Sequence, residues 1–307
     1  MKILKGRLII YTSDNIKEIT NILKNICLYI SVYFALLIFV SAIFSLIFVK
    51  LENKRIENEI SFFEKQNENI LLQHRYIKNE IANIKKNEKE KTNLKLIIQK
   101  INPNLDKKEV NLWADMILEN RKFIEGSLNL WSKIKFSFTE TPHSLNPSTS
   151  IILAIAAIES NFNTNIMSHK GAIGGFQLIS NTANELGLEN PLNPVENIIG
   201  GIKYLEYLLN IFDKNQDQIH LTIASYNAGP SRMIREWMPT WGDSWNDIYY
   251  GLWSINRFTE TREYSILTYE LMTLFASGNW INKSEDFWNN YKNNILSKDN
   301  FASIIFF

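Results

Sequence analysis

One carboxylate, Glu159, stands at the end of an apolar run. Residues 151–158 are all apolar, and Glu159 follows them directly. Desolvation disfavours the charged form of a carboxyl group and raises its pKa, which suits a general acid that must hold a proton near neutral pH. The alternative interpretation is a carboxylate at an exposed helix end. The residues that follow favour chemistry at Glu159.

Several polar residues downstream could contact a ligand. Ser168 comes next, and three glycines fall within Gly171–Gly175, where they let the backbone approach a ligand or a packed helix closely. Gln177 offers both a donor and an acceptor, as the amide and hydroxyl groups of a sugar require. Residues 226–229 read Tyr-Asn-Ala-Gly at the predicted end of a helix.

The elements that must position these residues are predicted to be helices. Asn146 and Pro147 predict a helix start, because asparagine caps helix N-termini and proline suits the first turn. Breaker residues predict a loop over 139–147. The remaining predicted helices cover Asp106–Phe138, 181–187, Asn197–Phe212 and Ile219–Tyr226.

Taken in order, these motifs resemble the lytic transglycosylases of the soluble (SLT) type, relatives of goose-type lysozyme. The resemblance covers about residues 146–274, and five blocks in order are far more specific than one. The family pattern differs around Gln177, where this chain has Gly175-Phe176 before it and Ile179-Ser180 after it, so we expect an altered subsite shape. The motifs are Glu159-Ser160, Ser168, Gly171 to Gln177, Thr182-Ala183, Asn197 with Gly201, Tyr204 and Leu205, Tyr226 to Gly229, and Glu260 to Tyr264.

The resemblance implies an all-α, lysozyme-like domain that cleaves the β-1,4 bond between N-acetylmuramic acid and N-acetylglucosamine in peptidoglycan. Glu159 would act as the single acid and base and would form a 1,6-anhydro product. No cofactor and no metal is implied. By the same resemblance, the substrate-binding residues would be Ser168, Gln177, Tyr226, Asn227 and Tyr264, the last of which would orient Glu159.

Two other functions remain open on the sequence. A hydrolytic lysozyme on the same fold would use water as the attacking group. A non-catalytic glycan-binding scaffold would use the cleft to tether a membrane complex to the cell wall. Retention of Glu159 together with Gln177 and Tyr226 favours an enzyme.

The segment 26–49 predicts a transmembrane helix. It contains no charge, proline or glycine, and about 24 residues reach roughly 36 Å as a helix, enough for a hydrocarbon core of about 30 Å. A cleaved signal peptide fits poorly, since the run is too long and no small-residue cleavage site follows. Basic residues on the two flanks nearly balance, which leaves the topology open. The resemblance implies a single-pass protein of the cytoplasmic (inner) membrane, with residues 1–25 cytoplasmic and the catalytic domain periplasmic or extracytoplasmic.

The next segment, 50–102, predicts a helical stalk. Apolar residues follow alternating spacings of four and three, which is typical of a coiled coil and would allow a homodimer. A lone charged helix or flexible stalk is the alternative. The seam residues are Ile56, Ile60, Phe63, Ile70, Ile77, Ile81 and Ile84, with Asn67 and His74 as polar breaks. Beyond the stalk we predict a helical extension over 103–145, a transglycosylase domain over 146–276 and an unassigned tail over 277–307.

Composition excludes several classes of protein. The 307 residues carry 33 lysine and arginine against 32 aspartate and glutamate, so a nucleic-acid binder that relies on net positive charge is not expected. Cys27 is the one cysteine, which excludes an intramolecular disulfide and a cysteine-rich zinc site. The tryptophans at 237, 241, 245 and 253 allow two interpretations, a platform for stacking glycan rings and simple core filling.

Overall fold

The computed structural model describes residues 13–129 and 141–296. The chain divides into two compact units, Met1–Ile81 and Ala82–Phe307. Among the described residues the regular elements are helices, and β-pairing is limited to isolated bridges between residues 167 and 178. The prediction of an all-α protein is therefore confirmed. Part of the predicted helix Asp106–Phe138 lies outside the described residues.

The first helix, α1, covers Ser13–Ile101. It is the one helix in the described part of the chain that is long and apolar enough to cross a membrane, and none of its most apolar window is buried by protein. Within the first unit, Ile56, Phe63 and Ile77 of the heptad seam are all about half exposed. Within the first unit, the apolar segment and the seam residues up to Ile81 are thus exposed.

The last turns of α1 belong to the core of the second unit. Leu94, Ile97, Ile98 and Ile101 are fully buried, whereas the predicted stalk extends to residue 102. Helix α2 follows as Lys107–Ser127, with the Asp106 carboxylate accepting hydrogen bonds from two first-turn N–H groups. The domain limits drawn from sequence stay a prediction, but apolar burial in this unit begins well before residue 146.

Helix α3, Pro147–Ser160, lies in the middle of the second unit. The side chain of Asn146 accepts a hydrogen bond from Ser148 N, which confirms the predicted helix start. Twelve of its residues are buried, and α2 packs against it. A helix buried on all sides needs no polar face, which explains the almost wholly apolar sequence before Glu159.

Eight further helical segments and two short irregular turns complete the described chain. Their bounds are α4 Ser180–Glu185, α5 Pro194–Ile211, α6 Gln218–Ala228, α7 Pro230–Arg232, a π-helical turn Met233–Trp237, α8 Met238–Trp241, α9 Trp245–Ser254, α10 Thr259–Ser277, a 3₁₀ turn Asn279–Asn282 and α11 Glu285–Leu296. Helix α10 packs against α3 and α6, and α2 packs against α5. Together with the packing of α2 against α3, these pairings bring the motif-bearing segments around the end of α3.

The C-terminal part of the second unit also contributes to the core. Trp280, Trp288 and Tyr291 are each less than 5% exposed. The indole N–H of Trp280 donates to the carbonyl of His143, 2.8 Å away, just before α3. Residues 279–291, which the sequence left unassigned, therefore pack as part of the same unit as α3.

Candidate active site

Glu159 lies in the last turn of α3, where its side chain is half-buried. The hydroxyl of Tyr264, on α10, donates a hydrogen bond of 2.7 Å to Glu159 Oε1. Tyr264 is only 4% exposed. Burial raises the pKa of the Tyr264 phenol well above its usual value, and the nearby charge of Glu159 raises it further. The phenol is thus held as a neutral donor that fixes one oxygen of the carboxyl group.

Ser160 links the end of α3 to the glycine-rich loop. Its hydroxyl donates to Gly175 O at 2.7 Å and to Ala156 O at 3.2 Å. Asn161 and Phe162, which follow, both have positive φ angles, 53° and 64°. The helix therefore ends directly after Glu159-Ser160, and the loop that carries Gln177 is tied to that end.

Asn197 of α5 holds the glycine-rich loop in shape. Its Oδ1 accepts from Phe176 N at 3.0 Å, and its Nδ2 donates to Ile173 O at 2.9 Å. Gly174 has φ 75°, and a Cβ there would lie 2.5 Å from the Asn197 amide. Asn197 belongs to one of the family motifs, but the resemblance implied no role for it. In the structure its side chain supports this loop.

Of the four residues that depart from the family pattern, Gly175 and Phe176 face the protein interior, whereas Ile179 and Ser180 are exposed. A Cβ on Gly175 would lie 2.4 Å from Trp113 Cζ2, and one on Gly201 would lie 2.0 Å from Phe176 Cγ. Phe176 is fully buried. Gly175 and Phe176 thus form the close packing between the loop and the helices α2 and α5. The expected change in subsite shape stays a prediction.

Gln177 and Ser168 close the loop on itself. Gln177 has φ 46°, and its Nε2 donates to Gly174 O at 2.8 Å and to Ile166 O at 3.3 Å. The Ser168 hydroxyl accepts from Ala172 N at 3.0 Å. Both side chains are half-buried.

Tyr226 and Asn227 lie at the end of α6. The Tyr226 hydroxyl donates to Phe176 O at 2.9 Å. Burial raises the pKa of Tyr226 well above its usual value, with the charge of Glu159 as the next cause. Asn227 Oδ1 accepts a 2.6 Å hydrogen bond from the hydroxyl of Thr261, on α10, which fixes the orientation of the Asn227 amide. Tyr226 and Tyr264 therefore both lie close to Glu159.

Comparison with known proteins finds sequence similarity to lytic transglycosylases. Residues 138–241 match the family model described as the transglycosylase SLT domain. It is 30% identical over 140 residues to membrane-bound lytic murein transglycosylase F of Shewanella sediminis, covering 43% of this chain and 28% of that protein. It is 34% identical over 106 residues to the protein of the same name from Pseudoalteromonas translucida, covering 32% of this chain and 23% of that protein.

The matched relatives are much longer than the shared region, and the chain spans less than a third of their length. Among solved structures, the 70 kDa soluble lytic transglycosylase of Escherichia coli aligns at 22% identity with a TM-score of 0.35, over 60% of this chain and 32% of that one. The resemblance to SLT-type lytic transglycosylases drawn from the motifs is confirmed by the family match.

The tryptophans at 237, 241, 245 and 253 divide between the two interpretations. Trp237 and Trp245 are 2% and 8% exposed and belong to a second apolar cluster around α6 and α9. Trp241 packs over Gly251. Trp253 is 64% exposed, and the guanidinium of Arg262 lies 4.7 Å from its ring centroid. Core filling therefore explains the first three, and Trp253 alone keeps an open ring surface.

Two further observations concern metal ions and the residues near Glu159 that the sequence did not single out. Across residues 13–129 and 141–296, no three His, Cys, Asp or Glu side chains cluster so as to hold a metal ion. Asn102 and Trp113 contact the segment just after Glu159, yet sequence reasoning gave them no role. They precede the region of family resemblance, so no motif pointed to them.

Proposed function

We propose that the chain is a membrane-anchored lytic transglycosylase that cleaves the bond between N-acetylmuramic acid and N-acetylglucosamine in peptidoglycan. The observation that carries the proposal is the 2.7 Å hydrogen bond from the buried Tyr264 hydroxyl to Glu159, within a domain that matches the SLT family. A general acid must point toward the oxygen that it protonates, and this hydrogen bond would hold the Glu159 carboxyl group in one orientation.

The proposed reaction uses one carboxyl group in place of the usual pair. Glu159 gives its proton to the glycosidic oxygen, and the C1–O4 bond breaks to release the 4-hydroxyl of N-acetylglucosamine. Glu159 then takes the proton from the C6 hydroxyl of the same N-acetylmuramic acid, whose oxygen bonds to C1. The product is a 1,6-anhydro sugar, Glu159 ends protonated as it began, and no water is consumed. The N-acetyl group of the substrate stabilises the positive charge at C1.

The other site residues would bind and orient the glycan. We assign the cleft lining to Ser168, Gln177, Tyr226 and Asn227. Their geometry supports this assignment indirectly, because hydrogen bonds from Tyr226 to the loop and from Thr261 to Asn227 give a rigid surface next to Glu159. Tyr264 would position the carboxyl group.

Mass spectrometry of products tests the proposal. The full chain, purified in detergent, is incubated with purified sacculi, and the released muropeptides are analysed. We expect anhydro-muropeptides from the parent, none from Glu159→Gln, and parental release from the control Glu189→Gln, an exposed glutamate outside the site. Full-rate digestion by Glu159→Gln would overturn the assignment of the acid.

The same experiment separates the alternatives. Products one water heavier than the anhydro sugar would identify a hydrolytic lysozyme. Binding to sacculi without any release, by parent and variant alike, would identify a glycan-binding scaffold.

The proposed location follows from the substrate. Peptidoglycan lies outside the cytoplasmic membrane, so residues 26–49 would span that membrane once and the SLT domain would lie on the periplasmic or extracytoplasmic side. The exposed apolar segment of α1 supports the anchor. Protease added to intact spheroplasts should digest the SLT domain, and its protection would refute the orientation.

The exposed heptad seam supports a second part of the proposal, a homodimer through the stalk. Seam residues such as Ile70 and Ile81 are about half exposed in the single chain, and a partner helix would cover them. Cysteine crosslinking within residues 50–84 should give covalent dimers. Only monomer at every tested position would remove the dimer.

A further inference from the structure

We infer that Asn102 and Trp113, both outside the matched SLT region, are positioning residues for Glu159. They would act by holding the two left-handed residues that end its helix. The inference rests on the proposed function, in which Glu159 transfers the proton.

The segment after Glu159 adopts an unfavourable backbone conformation. Asparagine tolerates the left-handed region, as at Asn161, but a bulky residue such as Phe162 rarely enters it. Such residues persist only where the surrounding structure holds them, and they concentrate at functional sites. The amide of Asn161 donates to Ala157 O at 3.0 Å, and that of Phe162 to Ala156 O at 3.4 Å. The two left-handed residues thereby close the turn that carries Glu159.

Each left-handed residue is held at its carbonyl by one side chain from an earlier part of the chain. Asn102, directly after α1, donates from Nδ2 to Asn161 O at 2.9 Å. Trp113, in α2, donates from Nε1 to Phe162 O at 2.8 Å in a fully buried contact. A buried carbonyl that loses its donor is left unsatisfied, which costs about as much as the lost hydrogen bond. Removing either donor therefore removes one of the two hydrogen bonds that fix this turn.

Trp113 also connects this turn to the glycine-rich loop. Its ring packs edge-on against Phe162, with centroids 5.3 Å apart, and lies against Phe176 at 5.7 Å. The same ring occupies the space that a side chain at Gly175 would need. Since Ser160 bonds to Gly175 O, one indole ring sets the spacing between the end of α3 and the loop.

The expected consequence is on the chemical step. A misplacement of about 1 Å in a catalytic group can lower a rate about a hundredfold. Neither residue is assigned a contact with substrate, so substrate binding should be retained. The signature of a positioning role is a lower kcat with an unchanged KM.

The test uses the full chain in detergent with two substitutions that each remove one donor, Asn102→Leu and Trp113→Phe. The matched control is Asn120→Leu, because Asn120 makes a similar 2.8 Å bond to Met116 O within α2 and away from Glu159. On sacculi we expect kcat to fall about ten- to hundredfold in the two test variants, with KM unchanged, and the control to match the parent.

Amide hydrogen exchange provides a readout that is independent of activity. Peptides covering residues 156–165 should exchange faster in both test variants, while peptides from α5 should exchange at the parental rate. A uniform rise across the domain would indicate general destabilisation and overturn the inference. An unchanged kcat in the folded variants would also overturn it. If one of the two test variants fails to fold, the kcat and the exchange rates of the other test the inference.

The two proposals fail in different ways. If the parent and Glu159→Gln release the same products or none, the proposed function fails. Exchange at residues 156–165 still reports then whether Asn102 and Trp113 hold the turn. If the parent is active and the test variants match it, only the positioning role fails.

Discussion

Replacing Tyr264 by phenylalanine removes one hydrogen bond and leaves nearly the same volume. The bond to Glu159 is 2.7 Å long, an ordinary length for a hydroxyl donor, and the Glu159 carboxyl group gains negative charge as it gives up its proton in the transition state. Hydrogen bonds to charged groups contribute about 1.5–3 kcal/mol. Because about 1.4 kcal/mol corresponds to a factor of ten in rate, losing the bond in the transition state should lower kcat about 10- to 150-fold. Tyr264 is 4% exposed, so water is poorly placed to replace the lost donor, which favours the upper part of that range.

The assay is the initial rate of muropeptide release from sacculi, with the thermal unfolding of each variant measured in parallel. Tyr291→Phe is the matched control, because Tyr291 is equally buried and its hydroxyl has no hydrogen-bond partner among the residues that the structure describes. We expect a large loss of rate for Tyr264→Phe, no loss for the control, and folded protein in both cases. If Tyr264→Phe released muropeptides at the parental rate, Tyr264 would not be the residue that orients Glu159.

Two further predictions concern stability. Gly201→Ala should lower the free energy of unfolding by about 1–3 kcal/mol, since its Cβ would lie 2.0 Å from a buried phenylalanine ring. Gly126→Ala should slightly raise that free energy, because a Cβ there would meet no described residue within 4 Å. Denaturant titrations of both variants check this, and equal effects would refute it. Burial raises the pKa of Tyr204 to about 12, so its stabilising contribution is complete below pH 10 and is lost as pH rises from about 10 to 12. That loss amounts to at most about 2.7 kcal/mol, and denaturation of the parent and Tyr204→Phe from pH 9 to 12 should show a steeper decline for the parent.

Local patterns in the sequence predicted the central part of the fold. Asn146-Pro147 predicts the start of α3, because capping depends on the residues at the helix end themselves, and the structure has that start. The apolar run up to Glu159 likewise predicts a buried helix, because a helix without a polar face is stable only when it is covered. The contact between Tyr264 and Glu159 was expected from the family resemblance, since the two residues are far apart in sequence.

Local sequence patterns could not predict contacts between segments that lie far apart in the chain. Nothing in the heptad spacing marks the point where α1 enters the core, because Leu94, Ile97 and Ile101 continue a helical periodicity that also suits a stalk. Similarly, four-residue spacing of tryptophans fits both a buried and an exposed face. Only the packed structure separates Trp237 from Trp253.

The position of Glu159 depends on residues outside the family motifs as well as on residues within them. The backbone N–H of Asn146, at the start of α3, donates to the carboxylate of Glu90 at 3.0 Å, and Arg121 pairs with that same carboxylate. At the other end of α3, Asn102 holds Asn161 O. All these supports precede residue 138, where the family match begins. A helix as apolar as α3 has no stable exposed face, and the helices that cover it include α2, which precedes the matched residues, and α10. The family motif thus marks the residues around the carboxyl group, and the preceding helices fix the helix from which that group projects.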